Sequence, residues 1–371
     1  MRRRNFLKRA AAAALGGAAV GCGDGDRATA GGEAPSSSRR RYRWNLVTTW
    51  PPTLPIFMDG VRAFAEQVKV MSDGRLEIEV FGGGELVPPF EAFDAVSSGT
   101  AQMAHGASYY WAGKIPAAQF FASIPFGMNA QQMFAWLYAG GGLELWTEVY
   151  EPFGVLPLPA GSTGVQMGGW FNRAIDGPDD FDGLKMRIPG LGGQVLAELG
   201  ASAVLLPGGE IYTSLERGVI DATEWVGPYH DRIMGFHEIA RYYYYPGWHE
   251  PGTVLELLIH RPSFEALPAD LQQIVRAAAE AQNSWMLSRF EARNHSALRQ
   301  LVGEGGVEVR QFPQPVMFEL QRIAGDVLDG IAAGGDDAAR VYASYRDFQR
   351  DIAGWGRMSE QAFFNLIQNL G

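Results

Sequence analysis

The segment WNLVTTWPPTLPIFMDGVRAFAEQVKVMSDGRLEIEV, residues 44–80, predicts a strand, a helix and a second strand in succession. Its middle part, residues 54–71, places apolar side chains at helical spacing. These are Phe57, Val61, Phe64, Ala65 and Val68. The turn-forming residues 72–74, SDG, end the helix and lead into residues 76–80, LEIEV, which alternate apolar and acidic side chains as a strand does.

Strand and helix signals keep alternating beyond this segment. Residues 90–98 predict a short helix and residues 101–105 a strand. Residues 164–171 and 184–188 look like strands of a second unit. This order predicts an α/β fold with mostly parallel sheets.

The last third of the chain is helical by pattern. Residues 268–302 form a long stretch without glycine or a second proline, and residues 316–331 and 337–370 add further helix. The final stretch is amphipathic, with an apolar face made of Val341, Tyr345, Phe348, Ile352 and Trp355. No strand follows it in sequence, so this face needs either its own domain or a second copy of the chain to cover it.

Residues 1–22 predict an export signal. RRNFLK, residues 3–8, is a twin-arginine motif. The apolar run at residues 10–20 is shorter than the ~20 residues that a membrane-spanning helix needs. Small residues precede Cys22, which is the single cysteine of the chain. The sequence AAVGC is similar to a lipobox, the motif in which the cysteine thiol is acylated. A soluble exported protein cut at another position is the alternative. Residues 23–40, rich in Gly, Ser and Ala, predict a disordered tether.

Composition and missing motifs exclude several classes of function. The net charge is −10 at pH 7, and it becomes −15 without the five basic residues of the signal, so the chain is a poor nucleic-acid binder. The sequence has no G-x-S-x-G elbow, no Walker-type phosphate loop and no histidine pair at zinc-ligand spacing beside an acid. The residues after the tether are numerous enough for two domains.

Four blocks in order carry a resemblance to a known family: WPP at residues 50–52, DGLKMRIPG at 182–190, YTSLERGVIDATEW at 212–225 and YYYYPGWHEPG at 242–252. They are similar to the extracytoplasmic solute receptors of tripartite ATP-independent periplasmic (TRAP) transporters, the DctP family. The branch that they resemble most binds 2-oxo acids and small hydroxy acids through a metal ion. The resemblance covers nearly all of the chain after the tether.

The resemblance implies the two-lobed fold of a periplasmic binding protein, with crossing strands, a ligand cleft between the lobes, a long spanning helix and a C-terminal helical extension. Lobe I would take residues 41–160 and about 224–259. Lobe II and the spanning helix would take residues 161–223 and about 260–335. The C-terminal helix, residues 336–371, would be exchanged between the protomers of a homodimer, or would pack on its own domain.

Two residues are implied as contacts of a bound acid. By spacing alone, Arg187 in LKMRIP would be an exposed strand arginine. The resemblance assigns it to the ligand's carboxylate, which its planar fork suits. Gln166, in the predicted strand 164–171, would support both the acid and the metal ion, whereas without the resemblance it would be a glutamine at a sheet edge.

The implied metal ligands supply oxygen. Glu224 would bind the ion with its carboxylate, Trp225 with its main-chain oxygen and Gln166 with its side-chain oxygen. Glu250, in a loop bounded by glycine and proline, would be another metal or ligand contact, or else a surface acid. Such donors suit sodium or calcium. Glu224, Glu250 and an anionic ligand would bring three negative charges against the single positive charge of Arg187. This balance favours the divalent calcium ion, while sodium stays an alternative.

Two tyrosines are further candidates. Tyr109 and Tyr110, in ASYYW, could close over a ligand and donate hydrogen bonds to it, and we expect one of them to do so. The alternative for two of these three aromatic residues is an ordinary core cluster.

The sequence therefore predicts a receptor, not an enzyme, located in the periplasm or on the outer side of the cytoplasmic membrane. It would bind a small monocarboxylate and a metal ion and deliver the acid to the TRAP membrane permease subunits. Export would follow the twin-arginine route, with a lipid anchor at Cys22. The alternative is an envelope enzyme acting on a small carboxylic acid, with Glu224 or Glu250 as a general base near Arg187.

Overall fold

The computed structural model of the protein describes residues 40–303 and 306–370 of the 371-residue chain. The predicted signal, Cys22 and the predicted tether up to residue 39 lie outside the described residues.

The strands and helices alternate along the first two thirds of the chain, and helices make up most of the rest. The strands are β1 (Tyr42–Thr48), β2 (Leu76–Phe81), β3 (Met103–Gly106), β4 (Val155–Gly164), β5 (Gly169–Phe171), β6 (Lys185–Arg187), β7 (Ser202–Val204), β8 (Ala222–Thr223), β9 (Tyr242–Tyr245), β10 (Thr253–His260) and β11 (Glu308–Gln311). The helices are α1 (Phe57–Met71), α2 (Ala92–Ser97), α3 (Gln119–Ala122), α4 (Ala130–Ala139), α5 (Gly142–Tyr150), α6 (Gly190–Glu198), α7 (Gly208–Glu216), α8 (Pro228–Ile233), α9 (Arg261–Glu265), α10 (Ala269–Gly303), α11 (Gln314–Ala333), α12 (Asp336–Gly356) and α13 (Ala362–Leu370).

The opening strand–helix–strand prediction is confirmed. Strand β1 pairs in parallel with β2, and Trp44 lies opposite Ile78. Helix α1 buries its predicted apolar face, with Val61, Phe64 and Val68 packed against the sheet and Phe57 in the neighbouring core. The turn that follows α1 has positive φ angles at Asp73 and Gly74, which reverse the chain into β2.

The strands form two sheets. The first has the order β2-β1-β3-β10-β4 and the second β11-β9-β5-β8-β6-β7. Both sheets are mixed, which corrects the expectation of mostly parallel sheets. Strand β10 runs antiparallel to β3 and β4, and β5 runs antiparallel to β8 and β9. The direction of β10 follows from the path of the chain, which leaves the first sheet along β4 and returns to it along β10.

The crossings between the sheets lie where β4 runs on to β5 and where β9 runs on to β10. The predicted α/β architecture with crossing strands is confirmed. The lobe boundaries stay a prediction, and β9, which falls in the range expected for lobe I, pairs within the second sheet.

Gln166 lies in the first crossing and not in a strand, which corrects the predicted strand at 164–171. Strand β4 ends at Gly164, whose φ of +71° is the left-handed conformation that glycine tolerates. The Gln166 backbone then pairs with the returning crossing, since its N–H donates to Glu250 O and its carbonyl accepts from Gly247 N.

Helix α10 is the predicted spanning helix. Its 35 residues extend for about 52 Å. Its first half packs Leu271 and Val275 into the core beside the first sheet, and its second half packs Met286 and Phe290 into a core that also contains Trp170 of the second sheet. Neither α10 nor any other helix in the described part of the chain is long and apolar enough to cross a lipid bilayer.

The C-terminal region divides in two. Helix α12 buries Val341 and Tyr345 against its own chain, where the Tyr345 hydroxyl accepts a hydrogen bond from Met128 N at 2.6 Å. A π-helical turn, Arg357–Gln361, joins it to α13. Phe348 and Ile352 of α12 also pack against the same core as Val341 and Tyr345, partly buried. The exposed apolar residues are Trp355, at the end of α12, and Met358, Phe363, Phe364, Leu366 and Ile367 beyond it. Four of the five residues of the predicted apolar face are therefore covered by its own domain, and only Trp355 is open.

Candidate functional site

A small cavity of about 250 Å³, part of it open to solvent, lies where the two sheets meet. It is lined by Trp50, Phe57, Tyr109, Tyr110, Thr163, Gln166, Arg187, Trp225, Val226 and Leu255. Trp50 follows β1, Tyr109 follows β3 and Arg187 ends β6, so the carboxyl ends of strands from both sheets face this space. Ligands of open α/β sheets bind at such ends.

Arg187 is buried in the second sheet, with only 1% of its side chain exposed. Its Nη1 donates to Glu224 Oε1 at 2.5 Å and its Nε to Leu206 O at 3.2 Å. Nη2 has no hydrogen-bond partner, although the Tyr110 hydroxyl lies nearby. Burial alone would lower the pKa of Arg187, but the Glu224 carboxylate holds it above its ordinary value. The guanidinium therefore stays charged and leaves one nitrogen, Nη2, without a hydrogen-bond partner at the cavity.

Three buried side chains form what we call the acidic cluster: Glu224, His249 and Glu250. Each offers one ligand atom, and these atoms all lie within 4.8 Å of one another. Burial, and then the charge of Glu224, raise the pKa of Glu250 to about 7. Two carboxyl groups this close and this dry need a compensating cation or proton.

Gln166 connects the cavity to the acidic cluster. Its Nε2 donates to Glu250 Oε2 at 2.6 Å and to Thr163 Oγ1 at 3.2 Å, while its Oε1 is buried without a hydrogen-bond partner. An unpaired buried amide oxygen is a hard donor available to a cation. The donor set of this region fits a metal ion, because it combines carboxylates, this oxygen and an imidazole that is not hydrogen-bonded.

Trp225 and the two tyrosines form walls of the cavity. The Trp225 ring lies 5.2 Å from the Arg187 guanidinium, at cation–π distance. The Tyr109 and Tyr110 rings meet edge to face at 4.8 Å, and burial raises the pKa of Tyr110 to about 12. Both hydroxyls are therefore protonated donors at neutral pH. Trp111 instead turns into the core, where its Nε1 donates to Glu256.

Trp50 is held in the cavity wall by a buried histidine. Its Nε1 donates to His105 Nδ1 at 2.8 Å, and His105 Nε2 pairs with Ala160 O at 3.0 Å. Burial lowers the pKa of His105 to about 4, so the ring is neutral and can accept from the indole. His105 thus fixes the orientation of Trp50.

The structure brings the residues singled out by the sequence to one region. Seven of them line the cavity or belong to the acidic cluster: Tyr109, Tyr110, Gln166, Arg187, Glu224, Trp225 and Glu250. Their individual roles, including the main-chain oxygen of Trp225, stay predictions, and Cys22 lies outside the described residues. Sequence reasoning assigned no role to Trp50 or His249, although both stand in the blocks WPP and YYYYPGWHEPG.

Comparisons with known proteins bear on this site. The model of the bacterial extracellular solute-binding protein family 7, DctP, matches residues 46–333. The monocarboxylate 2-oxoacid-binding periplasmic protein of Nostoc sp. is 42% identical over 369 residues, which cover 100% of both chains.

Two solved structures of TRAP periplasmic solute-binding proteins are also similar. One, from Pseudoalteromonas atlantica T6c with bound sodium and pyruvate, is 45% identical, with a TM-score of 0.86 over 88% of this chain and 99% of that chain. The other, from Colwellia psychrerythraea with bound calcium and pyruvate, is 44% identical, with the same TM-score and coverage.

Proposed function

This chain belongs to bacterial extracellular solute-binding protein family 7, the DctP family, and we propose that it is the receptor of a TRAP transporter for a small monocarboxylate. The acid is a 2-oxo acid such as pyruvate or a 2-hydroxy acid such as lactate, bound with a sodium or calcium ion. Proteins of similar sequence and fold bind pyruvate with one or the other ion.

The observation that carries the proposal is the unpaired Nη2 of Arg187. A buried guanidinium that holds Glu224 with one nitrogen and leaves another unpaired at a cavity is suited to a second carboxylate, that of the ligand. Tyr109 and Tyr110, which also line the cavity, add protonated hydroxyl donors. The small volume of the cavity favours a short acid.

The metal ion would lie between the acidic cluster and the ligand. Glu224, Glu250 and the free oxygen of Gln166 would hold it, with the Trp225 carbonyl as a further ligand. When bound, the ion supplies positive charge that offsets the two carboxylates and attracts the oxo or hydroxyl oxygen of the acid. A plain carboxylic acid lacks that oxygen, so it should bind more weakly.

The receptor would present the acid to the membrane subunits of the transporter. The cavity draws residues from both sheets, so a ligand that binds them together favours the closed arrangement of the lobes. We further propose that the chain is exported by the twin-arginine route and anchored through Cys22. The variant Cys22→Ser should then leave the membrane fraction and appear in the soluble periplasmic fraction.

We also propose that the receptor is a homodimer. The exposed apolar residues of α13 and of the end of α12 support this, because apolar side chains clustered on one helix are usually covered by another surface.

Calorimetric titration tests the function. The exported chain, stripped of metal and then supplied with sodium or calcium, is titrated with pyruvate, lactate, propionate and a C4 dicarboxylate, with tryptophan fluorescence as a second readout. We expect one equivalent of pyruvate or lactate to bind with metal present, and binding to propionate to be at least ~10-fold weaker. Equal binding of propionate would contradict the metal-assisted site.

The same samples separate the receptor from the enzyme alternative. Nuclear magnetic resonance of the acid after long incubation reports any product. A receptor returns the acid unchanged at one equivalent per chain, whereas catalytic turnover without saturable binding overturns the proposal.

A further inference from the structure

The loop between β1 and α1 contains a strained turn. At Ile56 the backbone has φ 61° and ψ −58°, and Pro55 O accepts a hydrogen bond from Phe57 N at 2.7 Å, which together define a γ-turn. A γ-turn with positive φ is rare, and it is rarer still at a β-branched residue. Ile56 is buried, so contacts with its surroundings must hold it in this conformation.

The carbonyl of this turn accepts a second hydrogen bond, from helix α8. His230 is fully buried, and its Nε2 lies 2.8 Å from Pro55 O. Burial lowers the pKa of His230 to about 3, so the ring is neutral, and Nε2 carries the hydrogen because a carbonyl oxygen can only accept. The imidazole also meets the Phe57 ring edge to face, with the ring centroids 4.7 Å apart. His230 therefore contacts the turn at its carbonyl and at the side chain that follows it.

The next residue attaches α8 to the second sheet. Asp231 is buried, and its Oδ2 accepts from Trp170 Nε1 of β5 at 3.0 Å and from the Tyr243 hydroxyl of β9 at 2.7 Å. Pro55, in contrast, follows β1 of the first sheet. The hydrogen bond from His230 to Pro55 therefore connects an element held by the second sheet to a loop of the first.

The strained turn positions one wall of the cavity. Phe57, directly after Ile56, lines the cavity, and its ring centroid lies 4.2 Å from that of Trp50, which lines it too. His230 does not line the cavity. It can therefore affect a bound acid only through the turn and the Phe57 ring.

We propose that His230 is a positioning residue for ligand binding: its hydrogen bond to Pro55 forms when the two sheets come together around the acid, and it holds Phe57 in the cavity wall. A contact that exists only in the closed arrangement adds to the affinity for the ligand without touching it. The inference deepens the proposed function, on which it rests for the ligand.

Two substitutions at one position separate the hydrogen bond from the volume of the side chain. His230→Leu fills the space without a donor, whereas His230→Gln keeps an N–H that can reach Pro55 O. With calcium present, we expect His230→Leu to bind pyruvate about 10-fold more weakly in calorimetry and to release it faster in stopped-flow tryptophan fluorescence. His230→Gln should bind within about 3-fold of wild type. Equal affinity in His230→Leu and wild type, or no recovery in His230→Gln, overturns the positioning role.

His260→Leu is the matched control for general loss of stability. His260 is half-buried at the far end of β10, and its Nδ1 pairs with Ser263 Oγ at 2.8 Å. This variant should bind pyruvate as the wild type does, even where urea unfolding shows it to be less stable. A loss of affinity as large as that of His230→Leu would mean that removing either histidine weakens binding through stability alone.

A measurement on the wild type keeps the proposal testable even if the variants at His230 do not fold. Nuclear magnetic resonance of the chain with isotope-labelled histidine should show an imidazole Nε2–H that is close to the Phe57 ring protons. We expect this N–H to be protected from solvent exchange with pyruvate and calcium bound, and to exchange rapidly without pyruvate. Equal protection in both samples overturns the coupling to ligand binding. Calorimetry of the wild type with pyruvate tests the receptor function by itself, so the two failures are distinguishable.

Discussion

Arg187 and Glu224 form a buried ion pair in which Nη1 lies 2.5 Å from Oε1 and each side chain is 1% exposed. The pair leaves Arg187 Nη2 unpaired at the cavity. Arg187 therefore contributes to the stability of the second sheet and, in the proposed function, to the recognition of the acid. A buried pair is costly to break from one side, because the remaining charge stays desolvated.

Replacing Arg187 should affect binding and folding together. We expect Arg187→Ala to abolish pyruvate binding in calorimetry and to lower the free energy of unfolding in urea by about 3 kcal/mol or more, because Glu224 loses its cation. Arg187→Lys keeps the charge but not the fork, so it should be more stable than the alanine variant and still bind pyruvate at least ~100-fold more weakly than wild type.

Two further variants control this prediction. The double variant Arg187→Met/Glu224→Gln removes both charges and should be more stable than Arg187→Ala alone. Arg173→Ala removes an exposed arginine and should leave binding unchanged. Wild-type stability in Arg187→Ala would mean that the ion pair contributes nothing to folding.

Glu256 predicts a dependence of stability on pH. It is buried in β10, where it accepts hydrogen bonds from Trp111 Nε1 and the Tyr150 hydroxyl, and burial raises its pKa from 4.5 to about 8. The folded state therefore keeps this proton between pH 4.5 and 8 while the unfolded chain releases it. The stability that the proton provides is fully present below about pH 4.5 and is lost as the pH rises to about 8, at up to about 1.4 kcal/mol per pH unit.

Urea unfolding of the metal-free chain at pH 5.5, 6.5, 7.5 and 8.5 measures this slope. Burial also raises the pKa of Asp231, to about 7. Asp231 therefore adds a loss of stability with rising pH, up to about pH 7. Glu256→Gln cannot ionise and keeps an oxygen that accepts from Trp111, while its amide N–H would require the Tyr150 hydroxyl to accept instead of donate. It should therefore flatten the curve above pH 7. Glu79→Gln, at an exposed position of β2, is the matched control and should keep the wild-type slope. An unchanged slope in Glu256→Gln would show that this carboxyl is already ionised at low pH.

Local signals explain the parts of the fold that the sequence predicted. The strand, helix and turn of residues 44–80 depend on side chains close in sequence, and α10 on a long stretch free of helix breakers. The placement of Arg187, Glu224 and Glu250 came from motif blocks, since nothing local distinguishes a cleft arginine from an exposed one.

Long-range relationships account for what was wrong or missed. Gln166 was expected in a strand because its neighbours are apolar, yet its backbone pairs with the returning crossing some 80 residues later. The direction of β10 depends on the path through the second sheet. His249 looked like a loop residue, and only the structure shows that it is buried beside Glu224 and Glu250.

Gly190 should be required for the two sheets to meet at the site. Its φ is +59°, and a Cβ there would lie 2.9 Å from the Cβ of Tyr109, which follows the first sheet. Gly190→Ala should therefore lower pyruvate affinity by at least ~10-fold and destabilise the chain by about 1–2 kcal/mol, because both the backbone strain and the contact with Tyr109 act in the same direction. Calorimetry and urea unfolding measure the two effects.

The matched control is Gly209→Ala in α7, where an added Cβ meets nothing within 4 Å. That variant should bind pyruvate normally and be as stable as wild type or slightly more so. If Gly190→Ala bound pyruvate as tightly as Gly209→Ala does, the close contact between residue 190 and Tyr109 would not be required for ligand binding.

The exposed apolar side chains of the C-terminal region predict a dimer that depends on α13. Phe363 and Phe364 are each more than half exposed, while α12 before them is anchored to its own chain through Tyr345. Wild-type protein should sediment as a dimer at micromolar concentration, and Phe363→Asp/Phe364→Asp should sediment as a folded monomer with unchanged pyruvate affinity, because a charge on this face cannot be buried without a partner. Phe318→Asp, which changes a comparably exposed phenylalanine on α11, should leave the dimer intact and so separates a specific interface from general loss of surface hydrophobicity. A wild-type monomer at these concentrations would contradict the dimer. A dimer that survives in the double aspartate variant would show that α13 does not form the interface.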